Sequence, residues 1–284
     1  MIKNAALQTI IELVGVAVNR NSVYAGDIKT TFNSTGQGDP VILLHGNPSY
    51  GLFWYPVIGP LSNKFRVIAP DVVGYGESDK PSAPYDKHFY CAWLNEFMDA
   101  LGLNKASIVG HSQGGAIAIH FALDYQERVE KLVIVDSGGL GPLESTGVLF
   151  NMILYVLFPS RKAALRFGRY AFHSSTGRIG REEVMEYGVE VLRLPGSRRA
   201  PLRSWKIASL ITSEQLANIV QDTLLIWGEQ DIFFSASQAE EAHKAIPRSQ
   251  LQIIPSAGHV PFYDQREDFN NILINFLRSE PNRF

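Results

Sequence analysis

Residues 106–123 pin a serine into a turn that few folds can accommodate. Ala106-Ser107-Ile108-Val109 is a short β-branched run of the kind buried in a sheet. Gly115-Ala116-Ile117-Ala118-Ile119-His120-Phe121-Ala122-Leu123 reads as a helix. Between them stands Gly110-His111-Ser112-Gln113-Gly114, a Gly-x-Ser-x-Gly joining strand to helix. Such a turn is too tight for side chains at Gly110 and Gly114, and its strain pushes the Ser112 hydroxyl out above the sheet.

The rest of the chain repeats that local plan. Residues 22–26 and 28–33 form two β segments around a Gly26-Asp27 turn. Apolar runs follow at 41–44, 65–69, 106–109, 132–135, 223–227 and 251–254. They lack alternation, which fits strands covered on both faces, as in a parallel sheet. Helical stretches at 51–62, 87–102, 114–125, 236–246 and 265–278 separate them. The alternation predicts an α/β fold with a doubly wound, mostly parallel sheet flanked by helices. Residues 137–222 break the rhythm. Helices are expected there at 148–158, 161–172, 182–194 and 203–210, so this interval is an inserted helical lid. The expected division is a core of 1–138 and 214–284 with a lid or cap of 139–213. A helix within residues 1–20 carries Leu7, Ile10, Ile11, Val14 and Val18 on one face. That face packs on the domain, covers the substrate entrance, touches a lipid interface or pairs two copies in a homodimer.

Composition excludes several classes. The chain has 284 residues and a net charge of −2 with no basic block, which gives no footing for nucleic acid or an anionic membrane. No stretch is long and apolar enough for an integral span, and no signal peptide is expected. One cysteine, Cys91, rules out an internal disulfide and is compatible with a reducing, cytoplasmic location. Packing is the expected role of Cys91.

A serine hydroxyl is a weak nucleophile and needs an adjacent base, itself held by a carboxylate. In the Gly-x-Ser-x-Gly architecture the order is Ser, then Asp or Glu, then His, each at the C-terminal end of a strand. His259 follows the strand at 251–254 through Pro255-Ser256-Ala257-Gly258. Asp231 follows the strand at 223–227 through Gly228-Glu229-Gln230. Asp136, at the end of 132–135, is the alternative acid, and Glu229 a third. The oxyanion donors expected are the backbone N–H groups of Gln113 and of Asn47 in His45-Gly46-Asn47-Pro48. His45 braces that loop and Gly46 lets the backbone approach.

These segments in this order resemble the α/β-hydrolase superfamily, over residues 22–277. The resemblance rests on His45-Gly46-Asn47-Pro48, Asp71-Val72-Val73-Gly74-Tyr75-Gly76-Glu77-Ser78, the Gly110–Gly114 elbow with Gly115, Trp227-Gly228-Glu229-Gln230-Asp231 and Gly258-His259. It implies an eight-stranded sheet with a lid after the sixth strand, and no metal and no cofactor. The first two segments are also similar to haloalkane dehalogenases and epoxide hydrolases, but those use an aspartate nucleophile, where this chain has Ser112. Carbon–carbon bond hydrolases of aromatic ring-cleavage products use serine, usually with Asn before it and Trp after the histidine. Here those positions are His111 and Val260. The function expected is therefore hydrolysis of a small-molecule carboxylic ester through an acyl-enzyme, with an acyl or aromatic group of moderate size. A carbon–carbon hydrolase, a lactonase or a mainly non-catalytic receptor are the alternatives.

Overall fold

A computed structural model describes residues 5–173 and 181–280. Residues 1–4 of the expected N-terminal helix, 174–180 of the expected lid and 281–284 lie outside the described residues. Eight strands make one sheet: β1 (Asn19–Ala25), β2 (Ile28–Thr35), β3 (Pro40–Leu44), β4 (Arg66–Pro70), β5 (Ala106–His111), β6 (Val129–Val135), β7 (Asp222–Gly228) and β8 (Ser249–Ile254). Their order is β1-β2-β4-β3-β5-β6-β7-β8. The β1–β2 and β2–β4 pairings are antiparallel and all others parallel.

The helices are α1 (Ala5–Val14), α2 (Tyr55–Ser62), α3 (Lys87–Ala100), α4 (Gln113–Asp124), α5 (Thr146–Leu157), α6 (Arg161–Ala171), α7 (Arg181–Arg193), α8 (Ser213–Leu216), α9 (Ala236–Ala245), α10 (Pro261–Asp264) and α11 (Arg266–Arg278). They explain why the strands are apolar without alternation. Successive side chains of a strand point to opposite faces. Val41, Leu43, Val109, Val133 and Leu224 pack on one face with Val57 of α2 and Phe269 of α11. Ile42, Leu44, Ile108, Leu132 and Leu225 pack on the other with Phe97 of α3, Ile117 of α4 and Ala239 of α9. Both faces of the central strands are thus dry, whereas at the edges β1 keeps a polar run with mostly exposed side chains and β8 alternates, exposing Gln250 and Gln252.

Between β6 and β7 stand α5, α6, α7 and α8. Ser145 and Ser160 cap α5 and α6 by accepting the N–H groups of Val148 (3.4 Å) and Ala163 (3.3 Å). Two expectations shift here. The helix expected at 203–210 is instead a 3₁₀ turn, Pro201–Lys206. Beyond it Ile207 and Ile211 are buried, and Ile211 N–H donates to Gly139 O (2.8 Å), so a contact to the sheet end draws this backbone out of a helix. Helix α1 stops at Val14, before Val18, because Gly15 takes φ 78° just past its end. The buried face of α1, Leu7, Ile10 and Val14, packs against α2 and α7, joining the sheet's helical layer to the inserted helices. No helix among the described residues is long and apolar enough to cross a membrane.

Candidate active site

The elbow forms where β5 runs into α4. Ser112 has φ 54° and ψ −119°, a strained geometry for a residue with a side chain. A Cβ at Gly110 would run into the carbonyl of Gly114, and one at Gly114 into the carbonyl of Leu44. Glycine is therefore obligatory on both sides of Ser112. Ser112 N–H donates to Val135 O (2.9 Å), tying the turn to the neighbouring strand.

The loops after β7 and β8 bring the other expected groups to this point. His259 Nε2 lies 3.0 Å from Ser112 Oγ, and His259 Nδ1 lies 2.9 Å from Asp231 Oδ2. The carboxylate accepts, so Nδ1 carries the proton and Nε2 is left to accept from the serine hydroxyl. Asp231 Oδ1 accepts the Phe233 N–H (2.7 Å), which fixes the carboxylate. The Phe233 ring stacks on the imidazole, centroids 4.0 Å apart and planes 11° from parallel. All three groups are buried. Glu229 is exposed and pairs with the Gln230 amide (2.6 Å), away from the imidazole. Asp136 is buried beside Asp231 and accepts the Gly228 N–H (2.9 Å).

The supporting loop is built from buried polar contacts. His45 Nδ1–H donates to Gly46 O (2.8 Å) and Nε2 accepts Val72 N–H (3.0 Å), so a neutral imidazole bridges the loops after β3 and β4. The Asn47 amide donates to Pro201 O (3.3 Å), linking this loop to the inserted segment. Gln113 is the first residue of α4, where a backbone N–H has no partner within the helix. Its side chain is clamped by Tyr75 (2.7 Å) and Tyr90 (3.0 Å), hydroxyls with no sequence signal of their own. His111 points away from Ser112, as its turn requires, but its Nε2–H donates to the carbonyl of His259 (2.7 Å). Asp264 accepts the Gly258 N–H (3.0 Å) and pairs with Arg181 (2.8 Å), anchoring the histidine loop to α7.

Burial pushes the His45 imidazole down to about 4 from 6.5, and His120 on α4 likewise to about 4. The unfolded chain binds protons that these buried rings refuse, so stability is complete above about pH 6.5 and falls as pH drops toward 4. For His45 alone the loss reaches about 3 kcal/mol at pH 4. The melting temperature is therefore expected to fall between pH 7 and pH 5, and the fall to shrink in His45→Asn. An equal fall in both proteins contradicts this account of His45.

Two clefts open onto Ser112, and both include Asn47 and Phe233. One runs toward Phe53, Tyr155, Phe172, Val184 and Met185. The other runs under α5 and the 3₁₀ turn toward Leu149, Met152, Leu202 and Trp205. No Lys, Arg, Asp or Glu side chain lines either cleft among the described residues. A ligand atom from each of Asp136, Asp231 and His259 lies within 4.8 Å of the others. His259 Nδ1 and Asp231 Oδ2 already bind each other, and His259 Nε2 faces the serine, so this set fits hydrogen bonding better than a metal.

The alpha/beta hydrolase fold family matches residues 39–160 and 171–265. The chain belongs to that family. It is 31% identical over 268 residues, 89% of this chain and 92% of the relative, to a 2-hydroxy-6-oxo-6-phenylhexa-2,4-dienoate hydrolase of Comamonas testosteroni. A meta-cleavage product hydrolase from Pseudomonas fluorescens superimposes with a TM-score of 0.80 at 29% identity, covering 90% of this chain and 97% of that one. The carboxylesterase CesB of Bacillus subtilis superimposes with a TM-score of 0.84 at 24% identity, covering 96% of each chain, a likeness of fold. The α/β-hydrolase resemblance and the eight-stranded, mostly parallel sheet are thus borne out, and the chain is a hydrolase of this superfamily.

Proposed function

We propose that the chain is a serine hydrolase acting on uncharged carboxylic esters. Ser112 Oγ attacks the ester carbonyl as its proton passes to His259 Nε2, and the backbone N–H groups of Asn47 and Gln113 receive the oxyanion. His259 returns the proton to the leaving alcohol, which departs and leaves the Ser112 ester. Water then attacks that ester with His259 as base, releasing the acid and free serine. Asp231 holds the imidazole in the tautomer that accepts, and steadies the imidazolium. In this reading residues 139–213 are a lid on a core of 1–138 and 214–284.

The observation that carries the reading is the Ser112–His259–Asp231 chain of contacts at 3.0 and 2.9 Å, opening onto clefts with no Lys, Arg, Asp or Glu side chain among the described residues. Burying a carboxylate with no cationic partner costs several kcal/mol. Activity is therefore expected to rise with acyl length from p-nitrophenyl acetate to butyrate, and to drop at least about tenfold when the acyl chain ends in a carboxylate. A preference for the charged acyl group contradicts this reading. Gly46 sets the approach of the oxyanion loop. A methyl group there would stand 2.7 Å from Ser112 Cβ, so Gly46→Ala is expected to lower kcat about a hundredfold. Unchanged turnover removes Asn47 N–H from the mechanism.

A second reading is favoured by the relatives. Carbon–carbon hydrolysis of a dienoate would use the same serine and histidine. Its substrates carry a carboxylate, and among the described residues no Lys or Arg lines the clefts to receive it. A panel of butyrate ester, lactone and ring-cleavage dienoate decides. Ester turnover well above dienoate turnover supports the first reading, and the reverse order supports the second.

A further inference from the structure

We propose that Asp136 is a positioning residue: kept as a neutral carboxylic acid, it donates its proton to the Asp231 carboxylate and holds that carboxylate against His259. This deepens the triad reading above and rests on it.

Asp136 stands just past β6 with φ 42°, fully buried. Its N–H donates to Ile226 O (3.2 Å) and its Oδ1 accepts the Gly228 N–H (2.9 Å), so two backbone groups at the end of β7 fix where the carboxyl points. Its Oδ2 is buried and receives no protein donor. An oxygen of Asp136 lies within 4.8 Å of an oxygen of Asp231 and of a ring nitrogen of His259.

Two carboxylates this close, out of water, cannot both ionise. The hydrogen bonds decide which keeps the proton. Asp231 accepts two, from Phe233 N–H and His259 Nδ1–H, and each favours its charged form. Asp136 accepts one and has a bare second oxygen. Burial first, and the Asp231 charge next, push its pKa well above the usual carboxylate range. The Gly228 N–H works the other way and is outweighed. Asp264 adds a further negative charge, and the Arg181 guanidinium is paired with Asp264 (2.8 Å). His111 is held neutral by burial, with its Nε2–H on the His259 carbonyl.

The Asp136 proton is not consumed in turnover. It stays on Oδ2 as a donor to Asp231, so the pair of carboxyls carries one negative charge. That charge matches the single positive charge on His259 when it takes the serine proton. A second charge would hold the imidazole protonated and remove its capacity to act as base.

The test compares Asp136→Asn with Asp136→Ala on p-nitrophenyl butyrate, with melting curves for both. Asparagine tolerates a positive φ, accepts from Gly228 and presents an amide donor where the acid proton stood. The expected result is a kcat for Asp136→Asn within about threefold of the parent, and an acid limb of kcat/KM that does not move. Asp136→Ala is expected to lose roughly tenfold to a hundredfold in kcat with KM unchanged. An acid limb lowered by about one pH unit or more in Asp136→Asn means that the parent group was ionised, and overturns the proposal. Equal losses in Asn and Ala overturn it too, as does an undiminished Ala variant. If Asp136→Ala does not fold, the acid limb of the Asn variant decides alone. Asp231→Asn, measured alongside, separates the two levels: if it keeps full activity the triad reading fails, whereas its collapse together with a shifted Asp136→Asn limb removes only the positioning role.

Discussion

Ser112→Ala is expected to lower kcat on p-nitrophenyl butyrate by about 10⁶-fold, the scale on which a serine nucleophile and its base act as one unit. The physical reason is that alanine at 112 leaves His259 Nε2 without the hydroxyl that lies 3.0 Å from it. Nothing else in the elbow replaces it. His111 is turned to the His259 carbonyl and Gln113 is clamped by two tyrosines. The two losses are not additive: His259→Ala is expected to cost about as much as Ser112→Ala, and the double variant little more. Labelling by a fluorophosphonate is expected to vanish in Ser112→Ala while the melting temperature holds, since the side chain is small and its φ is strained. Labelling that persists places the nucleophile elsewhere.

Asp231→Asn is expected to reduce kcat by roughly 10⁴-fold, with KM little changed. The asparagine oxygen can still take the Phe233 N–H, but its amide then faces His259 Nδ1. Two donors cannot share that contact, so the ring flips its tautomer and Nε2 acquires the proton. A protonated Nε2 cannot accept from Ser112. A loss of only a few-fold would mean that Asp136, its buried neighbour, carries the charge instead.

The strands and the three residues proposed as the triad stand out in the sequence for the same reason. A strand covered on both faces has to be apolar throughout, so Val41-Ile42-Leu43-Leu44 and Leu132-Val133-Ile134-Val135 stand out. The order of serine, acid and histidine at the ends of such strands then frames Ser112 and His259 and admits both Asp231 and Asp136 as the acid, of which Asp231 lies against His259 Nδ1. What surrounds them was not legible. The stack of Phe233 on His259, the His111 grip on the His259 carbonyl and the tyrosine clamp on Gln113 join residues far apart in the chain. They leave no periodicity and no spacing rule. Phe233 sits two residues past Asp231 in an unpatterned loop, and Tyr90 reads as one more buried position of α3. The stretch at 203–210 has helical composition, and the burial of Ile207 and Ile211 with the bond from Ile211 to Gly139 diverts it.

Mass spectrometry of the intact protein, quenched within the first turnovers of p-nitrophenyl butyrate, tests the central claim most directly. The account predicts one added butyryl group, mapped by digestion to the peptide that contains residue 112, appearing as nitrophenol is released and decaying as water attacks. Nitrophenol released with no adduct at any quench time, or an adduct on another residue, would contradict it.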